Sequence, residues 1–332
     1  MNWKEGYDMF LDMLDRYDKI TIQCHDNPDA DTIGAGFGVY RYLMSKGKRA
    51  ELIYGGKNII TKPSLIMMIR ELQIPIRHVD QRDECEFLLT VDCQYQGGNV
   101  TPFRAKHIGM IDHHPVCVPI DDKCWIKDQY GSCSTAVWEL MCEAGYDFEQ
   151  DMALSTALYY GLYSDTGQLS EIYMKQDRQM RDQLIVDRRI MDRIVNSNLT
   201  REELKIAGEA LSSYYFDEDY SFAILRTRPC DPNLLGVISD MAIQVDTVDL
   251  CVVYNETAIG YKLSIRSNLN EASASQLARY ISRDAGTGGG HNNKAGVYLM
   301  KKYWWAKHSD TEFEQTLIRQ IRDFKDKGGL FE

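Results

Sequence analysis

Long apolar runs are missing from this 332-residue chain, in which no stretch approaches the roughly 20 consecutive apolar residues needed to span a bilayer. The opening stretch "MNWKEGYDMFLDML" lacks a basic region followed by an apolar run, so it does not read as a secretory signal. The expectation is a cytoplasmic protein with no membrane partner. Paired cysteines are missing too. The nine cysteines include no C-x-x-C and are odd in number, which argues against a disulfide framework and against a thiolate zinc site. Positive charge is in short supply. With 38 Lys and Arg against 49 Asp and Glu the formal net charge is −11, whereas a long duplex nucleic acid needs a basic face. A small anionic substrate held at bound metal stays compatible with that charge, because metal ions dominate the local field. There is no internal repeat and no low-complexity tract.

What is present reads as an ordinary globular chain, 44% hydrophobic and 26% charged, whose length suggests two domains. Apolar strands are expected at 19–24, 50–54, 86–93 and 106–112, and helices at 36–48, 64–73, near 133–144 and near 151–163. Strands alternating with helices indicate α/β architecture, a parallel sheet covered on both faces. The charged segment 174–200 reads as a helical connector with a boundary near 190–205, and its Lys and Arg suit either a hinge or a homodimer contact. The expected division is 1–190, a connector at 191–205, and a smaller α/β domain at 206–332. In that last part "GTGGGHNNKAG" interrupts the strand pattern and reads by itself as a flexible turn.

Four polar segments of the first domain follow apolar runs. "HDNPDAD" places His25, Asp29 and Asp31 just after a strand, where carboxylates two residues apart in an extended or turning loop can each reach a different ion. Asp26 and Asn27 read as turn residues before Pro28. Asp92 ends "FLLTVD", Asp112, His113 and His114 end "IGMIDHH", and Asp165 lies in "GLYSDTG". Any one of these aspartates alone is more often a turn or helix cap. Together they gather acids and imidazoles at the carboxyl end of one sheet, where ligands bind in such folds. Mixed His/Asp ligation without cysteine suits two divalent ions, Mn²⁺ first and Mg²⁺ second. Such a pair clamps phosphoryl oxygens during displacement, which is phosphoesterase chemistry.

In order and spacing "HDNPDAD", "VDC", "IDHHP" and "SDTG" resemble the motifs of the DHH phosphoesterases, and "KLSIRS" with "GGGHNNKAG" resembles the DHH-associated C-terminal domain of the nanoRNase/pAp phosphatase and cyclic di-AMP phosphodiesterase branches. The resemblance spans roughly residues 15–305. It implies one metal held by His25, Asp29 and Asp92, and a second held by Asp31, Asp92, His113 and Asp165, with Asp92 bridging. It implies that His114 faces the substrate phosphate and that Asp112 orients the loop from behind. For the second domain it implies a substrate-binding role for Arg266, Gly288, Gly289, Gly290 and His291, across a cleft from the metals. Arginine forks onto phosphate, and glycine backbone approaches an oxyanion closely. Ala30, Thr32, Ala35, Leu169 and Lys294 depart from the family's usual residues without removing a ligand.

The expected function is metal-dependent phosphodiester hydrolysis by a metal-bridging hydroxide. Its substrates would be short oligoribonucleotides or linear dinucleotides such as pApA, with pAp phosphatase as a second activity. A cyclic di-AMP phosphodiesterase is the near alternative, and a non-catalytic nucleotide sensor the alternative of another class. A nuclease acting on long single strands is disfavoured by the charge and by the lack of an aromatic and basic groove.

Overall fold

The computed structural model describes residues 3–197, 199–269, 271–308 and 312–329. The chain divides into two compact units, Met1–Asn198 and Leu199–Glu332.

The first unit runs α1 (Trp3–Asp15), β1 (Lys19–Cys24), α2 (Ala30–Ser45), β2 (Arg49–Tyr54), α3 (Pro63–Glu71), β3 (Ile76–His78), β4 (Cys85–Val91), β5 (Ala105–Asp112), β6 (Cys124–Ile126), α4 (Cys133–Glu143), α5 (Met152–Asp165), α6 (Lys175–Gln183) and α7 (Arg188–Val195). Its strands pair in the order β3-β2-β1-β4-β5-β6, every pair parallel. The order reverses between β1 and β4, and the crevice beyond their carboxyl ends is where doubly wound sheets take ligands. Helices cover only one face. Their buried residues join Ile20, Ile22, Phe87, Leu89 and Val91 in one core. The opposite face is roofed by the segment after β4, where Phe103 packs on Ile53 and Leu88 and Gln23 Nε2 donates to the Thr101 carbonyl at 2.8 Å.

One local reading of the sequence changes. Helix α2 begins at Ala30, not near 36, because Asp29 caps it. Its Gly34, Gly36 and Gly38 are mid-helix residues: a Cβ on Gly34 would stand 2.7 Å from the Ala157 carbonyl, and one on Gly38 2.7 Å from Val137. Asp165 ends α5, in the helix expected near 151–163. The expected connector, 191–205, contains the end of α7 and the start of α8 (Arg201–Ser212). Met191 and Ile194 of α7 are buried in the first unit's core, and α8 already belongs to the second.

The second unit continues with β7 (Tyr214–Asp217), β8 (Phe222–Thr227), α9 (Pro232–Ala242), β9 (Leu250–Glu256), β10 (Gly260–Ser267), α10 (Ala274–Ser282), β11 (Gly286–Gly290), β12 (Lys294–Met300), α11 (Lys301–Lys307) and α12 (Phe313–Asp326). The sheet order is β11-β12-β10-β9-β8-β7, antiparallel except for β8 with β9. Phe222, Ile224 and Val252 face α10 and α12, while Ala223, Leu225 and Val253 face α8 and α9. The alternation along each strand thus builds two apolar layers around one sheet.

Candidate metal centre

His25 follows the last residue of β1. The chain then turns through Pro28, and Asp29 caps α2 with Oδ1 accepting the N–H groups of Asp31 (3.0 Å) and Thr32 (3.1 Å). That capping leaves Oδ2 facing back, 3.6 Å from His25 Nε2. Asp31 stands in the first helical turn, not in an extended loop. Its two oxygens accept the N–H groups of Cys133 (2.6 Å) and Ser134 (2.8 Å), where α4 begins and the helix dipole favours negative charge. The two carboxylates therefore reach different groups because helix geometry separates them.

Asp92 follows β4 with φ +62°, a left-handed conformation that aspartate tolerates better than most residues. Its N–H donates to the Ile111 carbonyl at 2.8 Å, tying the turn to β5. The carboxylate lies between two histidines: Oδ2 is 3.5 Å from His25 Nε2, and Oδ1 is 3.3 Å from His113 Nε2. His113 Nδ1 lies 3.1 Å from the Tyr130 carbonyl, which only accepts, so Nδ1 carries the proton. Nε2 is thereby turned toward Asp31 (3.8 Å), Asp92 and Asp165 (3.2 Å). Gly161, one turn before Asp165 on α5, makes this possible, since a Cβ there would stand 2.9 Å from Asp31 Oδ1.

His114 lies beside His113, with ring centroids 4.4 Å apart and Nδ1 3.7 Å from Asp92 Oδ1. Its side chain is 53% exposed, and Nδ1 lies 2.8 Å from Oδ1 of the buried Asp112. That same oxygen accepts the His113 N–H at 2.8 Å, and Asp112 Oδ2 accepts from Gln94 Nε2 at 2.8 Å. Gln94, the Tyr130 carbonyl and Gly161 escape sequence reasoning, because none belongs to a pattern of ligand types. Asp26 is more than a turn residue. It accepts the Thr101 N–H and the Thr101 hydroxyl, each at 2.8 Å, and so fastens the His25 turn to the segment after β4.

Three groups of side chains converge closely enough to hold a cation: His25 with Asp29 and Asp92, Asp31 with His113 and Asp165, and Asp92 with His113 and His114. Residues 19–163 match the DHH family, N-terminal domain. This segment is a DHH-family domain. An uncharacterised protein of Methanocaldococcus jannaschii is 21% identical over 304 residues, 91% of this chain and 62% of the relative. An uncharacterised protein of Mycoplasma genitalium is 26% identical over 163 residues, 47% of this chain and 48% of the relative. The chain thus spans between about half and two thirds of the length of these relatives. An exopolyphosphatase-related protein from Bacteroides fragilis shares the fold at TM-score 0.72 and 19% identity, covering 98% of each chain. Among the described residues, no helix is long and apolar enough to cross a membrane.

The DHH domain's donor set fits divalent metal. Asp92 Oδ1 and His113 Nε2 are buried and, among the described residues, have no hydrogen-bond partner. Buried polar atoms of this kind are rare unless an ion or water completes them. The charges agree. Burial alone would lower the His25 imidazole, but hydrogen bonds to Asp29 and Asp92 outweigh it and raise it to about 10. Burial also opposes the charged form of His113, and Asp165 and Asp92 again override it, holding the ring well above its ordinary value. Asp31 is pushed well up, first by burial and then by the charges of Asp92 and Asp165. The cluster carries more negative charge than its imidazoles balance, and oxygen-rich sites of this kind take hard or borderline divalent ions.

In the second unit the structure corrects one reading. "GTGGG" is no flexible turn; it is the edge strand β11, paired antiparallel with β12. Gly288 lets α10 lie close, since a Cβ there would stand 2.5 Å from the Ala278 carbonyl. Gly289 has open space beside it, and Gly290, at φ +151°, abuts the Lys294 carbonyl. His291 follows at the exposed turn, its N–H donating to Lys294 at 2.7 Å. Arg266, on β10, pairs through Nε with Asp240 at 2.5 Å and through Nη1 with Ser264 Oγ and the Ile265 carbonyl, each at 3.1 Å.

Proposed function

We propose that this chain is a two-metal phosphodiesterase that hydrolyses short oligoribonucleotides, or linear dinucleotides such as pApA, to mononucleotides, with removal of phosphate from pAp as a second activity. One observation carries the reading: the two oxygens of Asp92 face two different histidine-aspartate groups. A carboxylate so placed suits a pair of ions better than a single one. His25, Asp29 and Asp92 would hold one ion, and Asp31, Asp92, His113 and Asp165 the other. Two such cations, Mn²⁺ or Mg²⁺, supply Lewis acidity toward a phosphoryl group and activate water for in-line displacement.

The protein's own groups do the rest. Asp112 accepts a hydrogen bond from His114 Nδ1 and leaves Nε2 for a substrate oxygen. The Tyr130 carbonyl holds His113 in the tautomer whose Nε2 faces the carboxylates. In the second unit Arg266, Gly288, Gly289, Gly290 and His291 would hold the substrate's remaining phosphate or nucleotide. The net charge of −11 favours short substrates, whose binding needs few phosphate contacts.

Product analysis with Mn²⁺, and chelator as control, tests the reading by offering pApA, a five-residue RNA, pAp and cyclic di-AMP side by side. AMP released from pApA and from short RNA is the expected result. Cleavage of the cyclic substrate alone would move the enzyme to the signalling branch. No chelator-sensitive turnover of any of the four would overturn the proposal.

A further inference from the structure

Gln94 is a neutral side chain, 3% exposed, with both ends of its amide in use two residues beyond Asp92. Nε2 donates to Asp112 Oδ2 at 2.8 Å and lies 3.2 Å from the Pro115 carbonyl and 3.4 Å from the His114 carbonyl. Oε1 accepts the Cys117 N–H at 2.8 Å. One side chain therefore spans the loop after the histidine pair and grips the carboxylate behind it.

The consequence falls on His114. With 53% of its side chain exposed, this ring packs on the His113 ring, 4.4 Å between centroids, and its bond to Asp112 fixes Nδ1. Asp112 holds that bond only while its carboxylate keeps its rotation. Oδ1 serves the His113 N–H and His114 Nδ1, and Oδ2 serves Gln94. Without Gln94, Oδ2 would be a buried acceptor with no donor, a costly state that a rotation of the carboxylate relieves at the expense of His114. The backbone joins the same unit, since the Asp92 N–H bonds to Ile111 beside Asp112.

We propose that Gln94 is a positioning residue for His114, acting through Asp112; this rests on the phosphodiesterase reading above. Gln94→Met keeps the length and volume of the side chain and removes every hydrogen bond. The variant is expected to fold, to bind Mn²⁺ with wild-type stoichiometry and to keep KM within about twofold. Its kcat should fall about 10- to 100-fold, the usual effect of losing a group that orients an active-site side chain. Long-range ¹H–¹⁵N correlation spectra of the Mg²⁺-loaded protein supply a readout independent of turnover. Wild-type His114 should show a single species protonated at Nδ1, and Gln94→Met a mixture.

Wild-type kcat in Gln94→Met together with an unchanged His114 signal would overturn the proposal. So would lost metal, which would make Gln94 a support of the metal groups instead. If Gln94→Met does not fold, the wild-type spectrum decides alone: a neutral His114 protonated at Nε2 refutes the link to Asp112, and one protonated at Nδ1 upholds it. If the wild type turns over no phosphate ester, the phosphodiesterase reading fails, and the spectra still judge the Gln94 to His114 link.

Discussion

His113 Nε2 and Asp92 Oδ1 lie 3.3 Å apart, both buried and, among the described residues, both without a hydrogen-bond partner. Two such atoms side by side, ringed by further carboxylates, could hold a cation. Mn²⁺ is therefore expected to stabilise the protein and chelator to reverse the effect. At about one hundred times the dissociation constant, binding to the native state alone contributes about 2.7 kcal/mol. Thermal unfolding with and without Mn²⁺, paired with metal analysis after dialysis, should show a saturable rise in Tm of several degrees and two ions per chain. An unchanged Tm would remove the metal assignment.

Asp92→Asn tests the shared ligand with little strain, because asparagine also tolerates the left-handed conformation at φ +62°. It should cost more activity than Asp29→Asn, about 10³-fold or more, as metal-borne stabilisation is worth several kcal/mol. Metal content should drop below two per chain. Removing one negative charge from a crowded cluster should leave the metal-free Tm unchanged or higher, the usual trade of stability against function. Turnover near the wild-type rate would refute the role of Asp92.

The residues of the candidate metal groups stand out in the sequence because ligand types after apolar runs form a pattern of their own. The structure places His25, Asp29, Asp31, Asp92, His113 and Asp165 in groups that could hold a cation. The carrier of each is less legible. A run such as "IGAGFG" looks like a break, yet it lies within α2, because tertiary contact with Ala157, Leu52 and Val137 rewards the missing side chains and overrides helix propensity. The strands β3 and β6 are three residues each, too short to show a period. "GTGGG" misleads for a related reason: composition says turn, while pairing with β12 and contact with α10 make it a strand.

Gly161→Ala separates packing from propensity. Alanine in a helix interior ordinarily stabilises by about 0.5–1 kcal/mol relative to glycine. Here the added methyl would stand 2.9 Å from Asp31 Oδ1 and 3.1 Å from Asp31 Cα, with Ser134 Oγ closer still. Overpacking of that kind costs about 1–3 kcal/mol, so the net sign should be destabilising. Denaturant titration measures it, and metal affinity should fall with it because Asp31 is displaced. A stabilised variant with full metal affinity would show that α5 does not need its close approach.

Arg266→Ala probes substrate holding apart from metal binding. Its guanidinium is anchored by Asp240 through Nε and by Ser264 and the Ile265 carbonyl through Nη1, so a grip on phosphate falls to Nη2. A hydrogen bond to a charged group is worth about 1.5–3 kcal/mol, which corresponds to a KM raised about 10- to 100-fold on pApA. Metal content should stay at the wild-type value, since every proposed ligand lies in the first unit. Asp240→Asn weakens the anchor but leaves the guanidinium in place, and should raise KM by a smaller factor. An Arg266→Ala protein with unchanged KM would show that the Asp240 pair serves the fold of the second unit and not the substrate.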